Sequence, residues 1–167
     1  MIAIPPPFLD HPDYLRHYRW MSQAIALADA AGRAGEVPVG AVVVAADDTL
    51  LGCGENRRER DHDPTAHAEI IALREAGRSL QSWRLTGCTL YVTLEPCPMC
   101  SGAIIQARVG TVVYGADDPK AGTIRTVANL PDSACSNHRP TILPGILEAT
   151  CRQQLQRWFG QQRRKPG

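Results

Sequence analysis

The sequence predicts a single α/β domain, from its size, its balanced composition and an alternation of helical and strand-like segments. Its 167 residues are 44% apolar, and acidic and basic side chains nearly cancel to a formal net charge of +1. A chain of this length can bury an apolar core without disulfides or repeats. One strand, helix, strand run predicts a parallel crossover within a sheet. The near-neutral charge also excludes a uniformly basic coat, so any polyanion partner must be met locally.

The first half of the chain predicts two helices separated by a β-hairpin. Apolar residues recur at three- and four-residue steps in the first helix, and two β-branched or apolar runs flank the turn residues Asp47 and Asp48. Asp63 supplies a capping side chain and Pro64 fits a first helical turn, so they predict the start of the second helix. The predicted elements are a helix over 14–34, strands over 39–45 and 50–54, and a helix over 66–76.

The second half predicts three strands and two helices around a long irregular segment. The predicted elements are a strand over 89–94, a helix over 99–107, strands over 111–114 and 141–143, and a helix over 146–159. Residues 115–140 carry few regular signals and allow one turn of helix near Val127. An irregular segment of that length in a small domain is commonly functional, so we expect a binding loop there.

The two ends of the chain are predicted to lie outside this domain. Pro5, Pro6 and Pro7 stiffen an extended arm over residues 1–12, the domain covers 13–160, and a polar, basic tail covers 161–167. The N-terminus has no basic region followed by an apolar run, and no stretch approaches the ~20 apolar residues that span a bilayer. With one closely spaced cysteine pair among six cysteines, these features predict a soluble protein of the cytoplasm, with no membrane partner.

Two short motifs carry the chemistry, and each lies where a loop or strand is predicted to become a helix. The first contains His67 and Glu69, and the second, PCPMC, contains Cys97 and Cys100. Cysteines three residues apart at the start of a helix present both sulfurs on one face, and Zn²⁺ accepts such a pair. His67 would supply the third ligand. Three protein ligands leave one tetrahedral position for water, which is typical of a catalytic zinc site.

Glu69 is the predicted catalytic residue of this site. It lies two residues from His67, so it need not share the ligand face and can reach the water and the substrate. Water on zinc ionises near neutral pH, and the amide ends of helices favour the ionised form. Glu69 would take a proton from that water as a general base and return it to the substrate as a general acid.

Each motif alone has a simpler explanation. A single C-x-x-C is often half of a structural zinc site or a redox pair, and H-x-E is common by chance. A structural site would need a fourth ligand, for which His62 and His138 are weak candidates; the ordinary role of both is at the surface. Together, in this order and at helix starts, the motifs predict a catalytic zinc site.

Over roughly residues 17 to 160 the sequence resembles the bacterial tRNA-specific adenosine deaminases. The HAE and PCPMC motifs match the signature of zinc-dependent nucleobase deaminases. The longer matching stretches are EVPVGAVVV at 36–44, HDPTAHAEIIALR at 62–74, LYVTLEPCPMCSGAII at 90–105, VVYGADDPKAG at 112–122 and NHR at 137–139. This agreement extends far beyond the metal motif.

The resemblance implies a fold, a substrate and a partner. It implies a three-layer cytidine-deaminase-like fold, in which helices cover both faces of a mixed five-stranded sheet, and a homodimer with one Zn²⁺ per subunit. The implied reaction converts the wobble adenosine of a tRNA, an arginine tRNA, to inosine, so that the partner is a tRNA anticodon loop. Single-stranded RNA is recognised by flipped bases and shape as well as by charge, so a near-neutral protein can bind it.

The resemblance also implies roles for residues that the motifs do not explain. Asn56 would hydrogen-bond the flipped base, and Asp118 would contact the ribose and backbone beside the target nucleotide, although both residue types also favour simple turns. Residues implied to line the base pocket are Val37, Pro38 and Ala68. Residues that could meet phosphates, or simply be solvated, are Lys120, Arg163, Arg164 and Lys165.

Two other functions remain open at the level of sequence. The same metal signature serves deaminases of free cytosine, cytidine or guanine. A zinc-stabilised RNA-binding module without catalysis is also compatible with the ligands, although such a module has no need of Glu69 beside an open coordination position.

Overall fold

A mixed β-sheet lies at the centre of the computed structural model, which describes residues 12–163. Within that range the helices and strands are α1 (Pro12–Arg33), β1 (Gly40–Val44), β2 (Leu50–Glu55), α2 (Ala68–Leu80), β3 (Thr89–Leu94), α3 (Pro98–Gln106), β4 (Thr111–Ala116), β5 (Thr141–Pro144) and α4 (Glu148–Gln162). The five strands are arranged in the order β2-β1-β3-β4-β5. Strand β1 is antiparallel to β2 and β3, whereas β3, β4 and β5 are parallel. The mixed five-stranded sheet and the predicted crossover through α3 are therefore confirmed.

Helices cover both faces of this sheet, because alternate side chains of each strand point to opposite sides. On one face Val42 and Tyr91 pack with Met21 of α1 and Cys151 of α4. On the other face Val43 and Val92 pack in a cluster that includes buried residues of α2 and α3. Central strands buried on both sides have nearly continuous apolar sequences, as β1, GAVVV, shows. The three-layer α/β architecture is confirmed.

Helix α2 begins two residues later than the sequence predicts. Asp63 Oδ1 accepts hydrogen bonds of 2.7 Å from both the backbone N–H and the hydroxyl of Thr65. This side-chain turn uses the capping group locally, so the chain turns through 63–66 and the helix starts only after His67, whose backbone is extended. The helix also continues past Ala76 to Leu80, where Gln81 ends it in the left-handed conformation.

Close packing of α2 on β2 fixes where the second helix starts. A Cβ atom added to Gly54 would lie 2.1 Å from the carbonyl oxygen of Ala68, and one added to Gly52 would lie 2.4 Å from that of Ala72. Glycines in β2 thus let the helix approach the strand more closely than any side chain would allow. The first turn of α2 is held against the sheet as a result.

The long irregular segment is a loop, as predicted, but the chain near Val127 forms turns and not a turn of helix. β4 continues to Ala116, so the loop covers 117–140. At the ends, Pro12 begins α1, and α4 continues to Gln162, three residues beyond its predicted end. The rest of the predicted arm, and Arg164 and Lys165 of the predicted tail, lie outside the described residues. Among residues 12–163 no helix has the length and apolarity needed to cross a membrane.

Candidate active site

The sequence motifs meet at the N-terminal ends of two helices. His67 is the residue immediately before α2, and Cys97 is the residue immediately before α3, where Pro98 occupies the first turn. His67 Nδ1 lies 3.6 Å from Cys97 Sγ and 3.5 Å from Cys100 Sγ. Among the described residues, these three form the one group of His, Cys, Asp and Glu side chains close enough together to hold a metal ion.

The spacing of these three ligand atoms fits a tetrahedral Zn²⁺. Zn–S and Zn–N bonds of about 2.3 and 2.0 Å at a tetrahedral angle separate nitrogen from sulfur by roughly 3.5 Å, close to both of the separations in the structure. His62 and His138 are not part of the group. The Nε2 atom of His138 instead lies 2.6 Å from the carbonyl oxygen of Val109. A donor set of one imidazole and two thiols leaves a coordination position for a non-protein ligand.

The electrostatics of the two cysteines favour binding of a cation. Hydrogen bonding from Cys100, and then from His67, lowers the pKa of Cys97 to about 4. The same interaction and burial raise the pKa of Cys100, because a second thiolate beside the first is unfavourable. The hydrogen bond with Cys97 also raises the pKa of His67. A dication at this position would relieve the repulsion between two thiolates and release the protons.

Glu69 lies in the first turn of α2 and is 4% exposed. Burial raises the pKa of its carboxyl group to about 7, against the opposing effects of its own backbone N–H and of His67. No basic side chain forms an ion pair with it among residues 12–163. The structure therefore puts a buried carboxyl group, without a basic partner among the described residues, beside the metal-ligand group.

A cavity of about 180 Å³ opens beside these side chains. Its lining residues are Val37, Val39, Asn56, Arg58, His67, Ala68, Glu69, Leu94, Glu95, Cys97, Asp118 and Ala121. Val37, Asn56, Ala68 and Asp118, which the sequence predicts to bind substrate, are thus brought together with the catalytic candidate. The cavity combines apolar walls with a few polar groups, which is typical of a small-molecule or nucleobase pocket.

Asn56 presents an unsatisfied acceptor in this cavity. The residue is 6% exposed, and its Nδ2 donates to the carbonyl oxygen of Val37 at 3.3 Å. Its Oδ1 is buried and has no hydrogen-bond partner among the described residues. A buried acceptor without a partner costs about 1–3 kcal/mol. The amide is therefore placed to accept a hydrogen bond from a ligand.

Asp118, Lys120 and Pro38 differ in placement from the other predicted substrate residues. Asp118 lines the cavity, but its Oδ1 accepts from the backbone N–H groups of Lys120 and Ala121, at 2.9 and 3.2 Å, in a local turn. Lys120 is exposed and is not part of the lining. Pro38 is buried between two lining residues and faces Gly32 and the end of α1 instead. Of the predicted substrate-binding residues, Pro38 and Lys120 are the two that do not line the cavity.

Glu95 is a site residue that sequence reasoning missed. It follows β3, is 1% exposed, and accepts hydrogen bonds from the backbone N–H groups of Asp118, Arg125 and Thr126 at 3.2, 2.8 and 2.9 Å. The hydroxyl of Thr126 also donates to it. One carboxylate thus binds both ends of the 118–126 segment. The signal in the sequence is an acidic residue directly after an apolar strand, YVTLE.

Glu36 is a second buried carboxylate, and it binds the 56–63 loop. It is 2% exposed and accepts from the backbone N–H groups of Glu59 and Arg60 at 3.2 and 2.7 Å. These two residues belong to the 56–63 loop, which also supplies Asn56 and Arg58 to the cavity. Nothing in the sequence near Glu36 indicates its partners, which are more than twenty residues away.

Similarity to known proteins agrees with this arrangement. The MafB19-like deaminase family matches residues 15–150 of the chain. A tRNA-specific adenosine deaminase of Bacillus subtilis (strain 168) is 44% identical over 146 residues, which cover 87% of this chain and 90% of that protein. A structure solved in biochemical and structural studies of A-to-I editing by tRNA:A34 deaminases superposes with a TM-score of 0.80 and 39% identity, covering 82% of this chain and 99% of that one.

Part of a much longer protein is also similar. A tRNA(Ile)-lysidine synthase of Deinococcus radiodurans is 47% identical over 148 residues, or 87% of this chain, but the chain spans only 25% of that protein's length. The resemblance to the tRNA-specific adenosine deaminases is confirmed by the Bacillus subtilis relative and by the superposed structure.

Proposed function

Since the chain belongs to the MafB19-like deaminase family, we propose that it hydrolyses adenosine to inosine at the wobble position of a tRNA, with an arginine tRNA as the substrate. The observation that carries the proposal is the buried carboxyl group of Glu69 beside the His67, Cys97 and Cys100 group, in a cavity with a free amide acceptor. The names and coverage of the relatives support tRNA adenosine as the substrate.

One Zn²⁺ per subunit is the proposed cofactor, held by His67 Nδ1, Cys97 Sγ and Cys100 Sγ. The fit of their separations to a tetrahedral ion supports this assignment. When bound, the metal supplies Lewis acidity that makes water a nucleophile near neutral pH.

Glu69 is the proposed proton carrier. Its carboxylate takes a proton from the attacking water and delivers it to N1 of the adenine ring as the C6–O bond forms. It then passes the second water proton to the exocyclic nitrogen, the C6–N6 bond breaks, and ammonia leaves. Burial supports this role, because bulk water is kept from the carboxyl group.

The remaining lining residues hold the base and the nucleotide. Asn56 Oδ1 accepts from the exocyclic N6–H of the base, and Val37 and Ala68 contact its faces. Pro38 has its effect through the backbone, since it fixes the chain between the lining residues Val37 and Val39. Asp118 contacts the ribose at the mouth of the cavity, and Lys120, exposed next to it in the same turn, meets a phosphate.

The proposed substrate also indicates the compartment in which the protein acts. The protein acts on the anticodon loop of tRNA in the cytoplasm, where the thiols of Cys97 and Cys100 stay reduced, and as a homodimer. All six cysteines lie within the described residues and are free thiols.

The test is to incubate the zinc-loaded protein and its Glu69→Ala variant with an unmodified arginine tRNA transcript that has adenosine at the wobble position. We expect sequencing to show inosine at that position with the wild type and none with the variant. If zinc is bound and no inosine forms, the tRNA assignment is wrong, and ammonia release from free nucleobases is measured next. Inosine formed by Glu69→Ala at the wild-type rate would show that Glu69 is not the proton carrier. A protein that forms no inosine but binds the transcript equally well as wild type and as Glu69→Gln would be a zinc-stabilised binding module.

A further inference from the structure

One arginine at the cavity has no carboxylate partner. Arg58 lines the cavity and is exposed. Its neighbours Arg57 and Arg60 lie 3.6 and 2.7 Å from Glu55 Oε1, but among residues 12–163 no acidic side chain forms an ion pair with Arg58. Of the three arginines at positions 57–60, Arg57 and Arg60 are therefore neutralised by Glu55. The charge of Arg58 is available at the opening of the cavity.

The backbone that carries Arg58 is held on both sides. Its carbonyl oxygen accepts from the N–H of Asp63 at 3.2 Å, and the N–H of Arg57 donates to Ala66 at 3.0 Å. The next two residues are bound by the buried carboxylate of Glu36. Because this backbone is already fixed, Arg58 loses less conformational entropy when it binds a ligand than an arginine on a mobile loop would lose.

The acidic side chains of the cavity lining indicate which part of a ligand Arg58 binds. Glu69 and Glu95 are buried acids, and Asp118 lies in the turn at the opening. These carboxylates disfavour an anion inside the cavity, where the neutral base reacts. A base that reaches the metal-ligand group leaves its ribose and phosphates outside, next to an exposed guanidinium whose planar fork binds phosphate oxygens in pairs.

We propose that Arg58 binds one of the two backbone phosphates that flank the target nucleotide, so that the site selects a nucleotide within an RNA chain over a free nucleobase. This proposal rests on the proposed function and specifies how its substrate is recognised. Arg58 thus supplies a nearly neutral protein with a local positive charge where the RNA backbone approaches the cavity.

The test uses an RNA anticodon stem-loop with adenosine at the wobble position, and two copies with a neutral methylphosphonate linkage on the 5′ or the 3′ side of that adenosine. Binding is measured by fluorescence anisotropy over a range of salt concentrations. The proteins are zinc-loaded Glu69→Ala, which binds without turnover, and the same protein with Arg58→Gln or Arg60→Gln. Arg60 is the matched control, since it is a neighbouring arginine already paired with Glu55.

We expect Arg58→Gln to raise Kd roughly tenfold at low salt and to reduce the slope of log Kd against log salt by about 0.7, the value for one phosphate of a single strand. Arg60→Gln keeps both values. One of the two neutral linkages raises Kd by the same factor, roughly tenfold, for the protein that keeps Arg58. The same linkage leaves Kd unchanged for the protein with Arg58→Gln.

The proposal is overturned if Arg58→Gln behaves like Arg60→Gln, if the effects of the variant and of the neutral linkage multiply, or if the stem-loop does not bind at all. Because these readouts need no turnover, they are separate from the test of the reaction. Absence of inosine with the wild-type protein would count against the proposed function even where the phosphate contact is found.

Discussion

Single buried carboxylates organise both loops that form the cavity. Glu95 accepts four hydrogen bonds from the 118–126 segment, and Glu36 accepts two from the 56–63 loop. Hydrogen bonds to a charged group contribute about 1.5–3 kcal/mol each, and a buried carboxylate that loses its donors is strongly unfavourable. At this scale, the shape of the site depends on acids that take no part in the chemistry.

Substitution of Glu95 by Gln tests this role. We expect a loss of about 1–3 kcal/mol in the free energy of unfolding, because an amide N–H₂ then faces backbone donors. We also expect faster hydrogen exchange over 118–126 and a raised KM for the RNA, with a smaller change in kcat. Thr126→Val is the control, since it removes only the hydroxyl bond. Unchanged hydrogen exchange in Glu95→Gln would show that the segment does not depend on this carboxylate.

At the scale of the elements, the site exists because two helices begin at the same end of the sheet. α2 delivers His67 and Glu69, and α3 delivers the cysteine pair; each helix has its ligand at the residue before it or in its first turn. Helix N-termini carry partial positive charge and favour thiolates and other anions. The position of α2 in turn depends on glycines in β2, since any Cβ there would collide with the helix backbone.

Gly54→Ala tests the link between strand and helix. The added Cβ would lie 2.1 Å from the carbonyl oxygen of Ala68, so α2 must move. We expect a cost of about 1–3 kcal/mol from overpacking, measured by urea unfolding, and a lower zinc content, measured by elemental analysis. Gly160→Ala in α4 is the control; nothing lies within 4 Å of its Cβ position, and we expect slight stabilisation. A Gly54→Ala protein with full stability and zinc would contradict the argument.

At the scale of the whole molecule, the layer formed by α2 and α3 has a groove with apolar side chains. A groove beside α2 and α3 is lined by apolar residues that include Ile70, Leu73, Ala103 and Ala107, and Trp83 at its edge is 60% exposed. Exposed apolar surface of this kind is typical of an interface between subunits. This groove is the surface on which we expect the proposed homodimer to form.

Trp83→Glu tests that expectation, because a charge at the edge of an apolar interface is unfavourable on both copies of a symmetric contact. We expect light scattering after size exclusion to show a dimer for the wild type and a monomer, or a dimer at least tenfold weaker, for the variant. Leu15→Glu is the control, an exposed apolar residue of α1 on the opposite face of the sheet. A wild-type monomer, or equal effects of both substitutions, would reject this interface.

The sequence by itself determined the features that depend on neighbouring residues. Hydrophobic periodicity and turn residues predicted every helix and strand within a few residues, and the spacing of Cys97 and Cys100 predicted their shared helix start. Two of its errors were local competitions: Asp63 caps a turn and not the helix, and β4 is longer than its β-branched core. Both follow from hydrogen bonds that a pattern of residue types does not reveal.

Only the tertiary structure decided which distant segments meet. It brought Glu95 and Arg58 to the cavity lining, it paired Glu95 and Glu36 with backbone N–H groups about 20 to 30 residues away, and it left Pro38 and Lys120 outside the lining. Such contacts depend on how closely helices pack on strands and on where buried donors find acceptors. These are properties of the packed layers, so no local pattern in the sequence could express them.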